Sequence, residues 1–151
     1  MNQFARFSLA ALLLFATSRT HPAVAQQPAA QQAKIAKVAV GEVGAGDVER
    51  GKYIVENVAM CTRCHTPDGD QGRPDRSRWL QGAPIRCPLP NMAVYAPRLA
   101  GRPPGTDEQF VTLLITGISR TGAPPRPPMP SFRMTKQDAE SVLAYLKSLA
   151  H

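Results

Sequence analysis

The sequence has few aromatic residues, three cysteines and no apolar run long enough to cross a bilayer. Aromatic side chains make up 6% of the 151 residues, whereas proline occurs 15 times. The apolar stretch Ser8–Ala16 is well short of the roughly 20 residues that a membrane span needs. A chain with so many prolines and so few aromatics builds only a small apolar core, and such domains usually depend on a disulfide, a metal or a bound group.

The N-terminal residues have the pattern of a secretory signal peptide. Arg6 precedes the apolar stretch, and an Ala-Val-Ala sequence ending at Ala25 matches the small-x-small pattern that signal peptidase recognises. We therefore assign residues 1–25 to a signal peptide and expect a mature protein that begins near Gln26. Its expected location is the periplasm or another exported compartment, with no membrane span after cleavage. An uncleaved membrane anchor is the alternative.

The charge is positive but dispersed. The formal net charge is +7, and removal of Arg6 and Arg19 with the signal peptide leaves +5. The basic residues are scattered rather than clustered, and together with export this argues against nucleic acid as a partner. The charge is typical of a solvated surface, and an orientation-setting patch for an acidic protein partner is the alternative.

The remaining chain is predicted to form a short leader and one all-α domain. Residues 26–46 are rich in Gln, Ala and Gly without an amphipathic period, which predicts a flexible leader. The domain is assigned to residues 47–151, and no segment in it alternates with period two. Helices are predicted at about Val48–Met60, at Asp107–Thr116, and from an N-cap at Thr135 through Leu149.

Local capping signals support the second and third helices. Thr106 and Gln109 form a capping box, and Gly117 is a typical stop. Thr135 and Asp138 resemble a second capping box, with Asp in place of the usual Glu. Residues 67–105, between the helices, have no regular pattern, and a stretch this long needs something rigid to wrap around.

The pentapeptide CTRCH, from Cys61 to His65, has the spacing of c-type haem attachment. Two thiols three positions apart can each add to a haem vinyl group, and the adjacent histidine is then placed under the ring to bind iron. A buried haem would also supply the apolar core that the chain lacks. The sequence therefore predicts covalent haem c on Cys61 and Cys64, with His65 as the proximal iron ligand.

Two other sites use the same cysteines. A Cys61–Cys64 disulfide suits an oxidising compartment, but the βαβ pattern that accompanies thioredoxin-like CxxC motifs is missing. A zinc site could combine Cys61, Cys64, Cys87 and one histidine. It would leave the adjacent Cys-His pair unexplained, because neighbouring residues rarely point at one tetrahedral ion.

Met129 is the expected second axial ligand. It lies in a Pro-Pro-Met-Pro sequence, and the prolines on both sides fix the backbone around a weakly donating thioether. Met134 is close to the last helix and is expected to pack in the core. Met60 adjoins the attachment motif on the proximal side, and Met92 lies in the irregular stretch as the outside candidate.

In this order, these features resemble class I cytochromes c, particularly small bacterial electron carriers. The resemblance covers Val48–Leu149. It rests on a first helix with Gly51, CTRCH, the sequence APRL at 96–99, a middle helix, PPMPSF and a terminal helix with Tyr145. It implies a cytochrome c fold in which three or more helices wrap around one covalent haem, with a segment 67–95 that is long for the family.

The resemblance also implies particular contacts. The first and last helices should cross at Gly51, against Val142, Tyr145 and Leu146. The carbonyl of Pro97 should hold the N–H of His65, and such contacts orient a ligand ring.

Two residues of the long segment need separate interpretation, and one of them, Cys87, departs from the family pattern as a third cysteine without a partner. Cys87 is expected to be a buried thiol, with an intermolecular disulfide or a redox-sensitive surface thiol as alternatives. Trp79 is expected to pack, or else to lie against a haem edge or propionate.

These features predict a periplasmic monohaem electron carrier rather than an enzyme. His/Met ligation leaves no open position on iron and raises the potential, which suits one-electron transfer. Its partners would be redox proteins such as a dehydrogenase, an oxidase or another cytochrome. The alternatives are a haem subunit docked on a dehydrogenase or oxidase, and a ligand-binding or catalytic haem protein with an open sixth site.

Overall fold

The structure, a computed structural model, describes residues 43–149. The predicted signal peptide at residues 1–25 lies outside the described residues, as does most of the predicted leader at 26–46.

The first helix forms where the sequence predicts it, but it changes character halfway. Helix α1 spans Val48–Tyr53. Its N-cap is Asp47, whose side chain accepts a hydrogen bond from the amide of Arg50. It continues as a π-helix over Ile54–Val58. Short π segments are frequent at functional sites, and this one leads directly into the CTRCH turn.

Helix α2 spans Thr62–His65 and carries most of the CTRCH motif. Helix α3 spans Asp107–Thr116, as predicted. Its capping box between Thr106 and Gln109 is complete, and Gly117 ends it at φ 66°. Local hydrogen bonds at the helix start and a left-handed residue at its end define both boundaries.

Helix α4 spans Lys136–Ser148, and the side chain of Thr135 accepts from the amide of Asp138 as predicted. The reciprocal bond of a capping box, from the Thr135 amide to the Asp138 side chain, is replaced by a tertiary contact. Nε of Arg50 donates to the Asp138 carboxylate at 2.8 Å. An aspartate is one methylene shorter than the usual glutamate, and its carboxylate here pairs with the first helix.

The expectation of an entirely α-helical domain needs one correction. Strand β1 (Ala83–Pro84) pairs antiparallel with strand β2 (Tyr95–Ala96), with Ala83 opposite Ala96. The amide of Ile85 donates to the carbonyl of Val94 at 3.0 Å and extends the pairing. Strands of two residues are too short to leave a period-two pattern in the sequence. The rest of the stretch from 67 is irregular, with 3₁₀ turns at Asp70–Gly72 and Arg76–Arg78.

The described chain begins packed against α4, although the sequence placed the residues up to Gly46 in a flexible leader. The amide of Gly44 donates to Oε1 of Glu140 at 2.6 Å, and the amide of Asp47 donates to Oγ of Ser141 at 3.1 Å. A Cβ on Gly46 would lie 2.2 Å from the Glu140 carbonyl oxygen. The end of the predicted leader is therefore ordered by contact with the last helix.

Helices α1 and α4 cross at Gly51. A Cβ at this position would lie 1.9 Å from the carbonyl oxygen of Ser141 and 2.9 Å from Cβ of Tyr145. Tyr145 is thus a contact as the resemblance implied, and Ser141 is an additional one. Val142 and Leu146 are buried beside the crossing and line a cavity on its inner side.

Gly51→Ala is expected to destabilise the protein by about 3 kcal/mol, because the new methyl group meets backbone that cannot move aside. Alanine is intrinsically the better helix former by about 1 kcal/mol, so a net loss isolates the steric effect. Thermal unfolding followed by circular dichroism measures it. The matched control is Gly44→Ala, where a Cβ would lie 3.4 Å from the Glu140 side chain. Equal unfolding temperatures for the two variants would contradict the close crossing.

Candidate functional site

A largely apolar cavity of about 250 Å³ lies between the CTRCH turn, the hairpin formed by β1 and β2, helices α3 and α4, and the segment around Met129. Aliphatic, aromatic and proline side chains form most of its wall. Among the described residues that line it, Arg126 carries the only full charge. The apolar lining includes Leu99, Phe110, Leu114, Phe132, Val142 and Leu146.

Both cysteines of the motif and its histidine line this cavity. The amide of Cys61 donates to the carbonyl of Val55 at 2.9 Å, and the amide of His65 donates to the carbonyl of Cys61 at 3.0 Å. The π-helix and α2 thereby hold the motif in one tight turn. Both thiols are free, and burial raises the pKa of Cys61 to about 11.

The His65 side chain is buried and held by one specific contact. Its Nδ1 lies 2.7 Å from the carbonyl oxygen of Pro97, which is the contact that the resemblance implied. Because a carbonyl oxygen only accepts, Nδ1 carries the proton and Nε2 keeps its lone pair free. Burial lowers the pKa of His65, although the Pro97 carbonyl acts in the opposite direction. A neutral, oriented imidazole is the form that binds a metal.

The loop after α2 reinforces this orientation. The amide of Gly82 donates to the backbone carbonyl of His65 at 2.8 Å, and the amide of Leu80 donates to Oγ1 of Thr66 at 3.0 Å. Leu80 is fully buried in the core. The irregular segment is therefore anchored directly on the histidine.

The four methionines of the described chain fall into two groups. Met129 and Met60 line the cavity. The sulfur of Met92 instead lies 3.3 Å from the amide of Leu89, at the tip of the hairpin. Met134 packs against the core, as expected.

Of the two methionines in the cavity wall, Met60 directly precedes Cys61 and is 44% exposed. Its sulfur lies 4.0 Å from Nη1 of Arg63. Met129 lies on a separate segment, far in sequence from the attachment turn.

The other sequence expectations have mixed outcomes. Cys87 is exposed, so the expectation of a buried thiol is wrong. It lies outside the cavity wall, and residues 43–149 contain no group of three or more His, Cys, Asp or Glu side chains placed to bind a metal. Trp79 packs against the core and is not part of the cavity wall. The guanidinium carbon of Arg76 lies over its indole ring, 4.0 Å from the ring centre.

Sequence reasoning missed the part of the wall that the hairpin supplies. Ile85, Ala93 and Tyr95 line the cavity beside Ala96 and Pro97, and Arg126 lines it from the segment of Met129. The only sequence signal for these hairpin residues is that Tyr95 directly precedes the APRL sequence. Their placement depends on strand pairing that the sequence pattern does not reveal.

Comparison with known proteins agrees with this geometry. A family model described as cytochrome c matches residues 48–150, a range that contains every residue of the cavity wall. A diheme cytochrome c-type protein of Cereibacter sphaeroides is 50% identical over 51 residues, which cover 32% of this chain and only 17% of that protein. Two thiols and an oriented imidazole on the wall of an apolar cavity fit the covalently bound haem c of that family. The chain belongs to the cytochrome c family.

Proposed function

We propose that the protein is a monohaem electron carrier whose single haem is bonded to Cys61 and Cys64 and ligated by His65 and Met129. The observation that supports this most directly is that one apolar cavity brings together the CTRCH turn, the imidazole held by Pro97 and a methionine from a distant segment. Membership of the cytochrome c family supports the general role, which is haem-based electron transfer. When bound, haem contributes the one-electron chemistry.

The chain's own residues set the conditions for that chemistry. The Pro97 carbonyl orients the His65 ring and keeps Nε2 available. A thioether from Met129 would favour the ferrous state of a bound haem and would thereby raise its reduction potential. The apolar wall, including Phe110 and Leu114, would limit the contact of a bound haem with water, and would so favour the ferrous haem, which carries less positive charge.

Electron transfer requires a partner at the mouth of the cavity. Arg126 lines the cavity and Arg63 lies beside the exposed Met60, so basic and apolar groups adjoin this opening. An acidic face on a dehydrogenase, an oxidase or another cytochrome would complement them. No helix within residues 43–149 is long and apolar enough to cross a membrane. We propose that the carrier acts after export, in the periplasm, as the N-terminal sequence predicts.

The test is to express the full chain with a haem-maturation system and to measure its haem content and spectrum. We expect one haem per chain that resists extraction by acid acetone, because thioether bonds hold it. The oxidised protein should be low-spin with a methionine-to-ferric charge-transfer band, and the reduced protein should bind carbon monoxide poorly. A high-spin protein that binds carbon monoxide readily would instead favour a ligand-binding or catalytic role. Co-purification with a large partner would favour a docked subunit.

A further inference from the structure

The segment that carries Met129 has very few hydrogen-bond donors of its own. In residues 124–131, hereafter the methionine loop, proline occupies five of the eight positions. Proline has no backbone N–H. The amide of Met129 donates to the carbonyl of Arg126 at 3.3 Å, within the loop itself. Rigid backbone angles and this internal bond shape the loop, but they do not attach it to the rest of the protein.

One hydrogen bond makes that attachment. The amide of Ala93 donates to the carbonyl of Pro127 at 2.7 Å. Within the described residues, it is the only hydrogen bond between the methionine loop and another segment of the chain. The next anchor along the chain is the amide of Met134, which donates to the carbonyl of Leu114 at 3.0 Å.

The donor is itself held in place by the hairpin. Ala93 precedes Val94, whose carbonyl accepts from Ile85 at 3.0 Å, and β2 follows directly. The opposite end of the hairpin is closed by the amide of Met92, which donates to the carbonyl of Leu89 at 3.0 Å. Ala93 also lines the same cavity as Met129.

From this connection we infer that the hairpin at 83–96 positions the Met129 thioether, through the Ala93 N–H and the Pro127 carbonyl. The inference rests on the proposed function, because it assumes that Met129 ligates the iron. Breaking the bond would leave the loop hydrogen-bonded to the rest of the chain only beyond its ends, so the thioether would spend more time away from a bound haem iron. Ala93 is a positioning residue and supplies no atom to the ligand set.

The test compares two proline variants of the holoprotein. Ala93→Pro removes the N–H that holds the loop. Val94→Pro is the matched control, because Val94 is 70% exposed and its amide makes no hydrogen bond within the described chain. The readout is the rate at which imidazole binds the ferric protein, which is limited by displacement of the methionine. We expect about a tenfold faster rate in Ala93→Pro, the effect of losing one partly buried hydrogen bond, and less than a twofold change in the control.

Amide hydrogen exchange on the wild-type protein provides a test that does not depend on a variant folding. The Ala93 amide should be protected in the native protein and should exchange faster once imidazole has displaced the methionine. Exchange that imidazole leaves unchanged would overturn the inference, as would equal binding rates in the two proline variants.

A comparison with Met129→Ala distinguishes failure of the proposed iron ligand from failure of the proposed positioning role. If imidazole binds wild type as fast as it binds Met129→Ala, then Met129 is not a ligand and both proposals fall. If wild type is slower than Met129→Ala but Ala93→Pro matches wild type, only the positioning role falls.

Discussion

Met129→Ala is expected to remove the methionine-to-ferric charge-transfer band and to lower the reduction potential. The thioether donates weakly to ferric iron, so its loss removes a preference for the ferrous state. The iron should then bind carbon monoxide in the reduced protein, and water or peroxide in the oxidised protein. Visible spectroscopy, redox titration and carbon monoxide binding measure these three effects on one preparation.

Met60→Ala is the most demanding control, because Met60 also lines the cavity. The Met60→Ala variant should keep the charge-transfer band, since Met60 adjoins Cys61 and the Met60 sulfur lies near the Arg63 guanidinium. Met92→Ala and Met134→Ala should keep it as well, because neither side chain reaches the cavity wall. If the band survives in Met129→Ala and disappears in Met60→Ala, then Met60 and not Met129 is the iron ligand. Met129→His should remain low-spin at a lower potential.

Replacing both Cys61 and Cys64 by alanine is expected to abolish covalent haem attachment. Each thiol supplies one thioether bond, so each single variant should retain at most one bond and mature in lower yield. Acid-acetone extraction followed by haem quantification measures the loss. The haem-free chain should also lose much of its helical circular dichroism, since the apolar core is small and haem acts as a ligand of the native state.

Cys87→Ser is the matched control, because Cys87 is the third cysteine and lies outside the cavity wall. It should retain haem, spectrum and potential. Haem that stays attached in the double variant would refute the attachment site. Loss of a covalent dimer on non-reducing gels in Cys87→Ser would show that this exposed thiol pairs between molecules.

The features that the sequence predicted well are those set by neighbours within a few residues. The capping box of Thr106 with Gln109, the stop at Gly117 and the N-cap at Thr135 all depend on local hydrogen bonds or on one residue's backbone freedom. The tight turn of the CTRCH motif belongs with them, because hydrogen bonds between residues close in sequence hold it; haem attachment at this turn stays a prediction. For these features, sequence patterns and physical cause coincide.

The family resemblance also predicted two contacts between segments that are distant in sequence. Gly51 does lie against Tyr145, and Pro97 does face His65. The second follows from no local pattern, since the two residues are 32 positions apart. Without the resemblance, the histidine would have been found but not what orients it.

Tertiary structure alone decided the rest. Two-residue strands bring Ala93 to the Pro127 carbonyl, and no propensity predicts a ladder that short. The same folding leaves Cys87 exposed where an apolar environment was expected. It also pairs the Asp138 carboxylate with Arg50 on the first helix. Ala93 and Asp138 each bind a partner far along the chain, and a pattern read over a few residues cannot contain that partner.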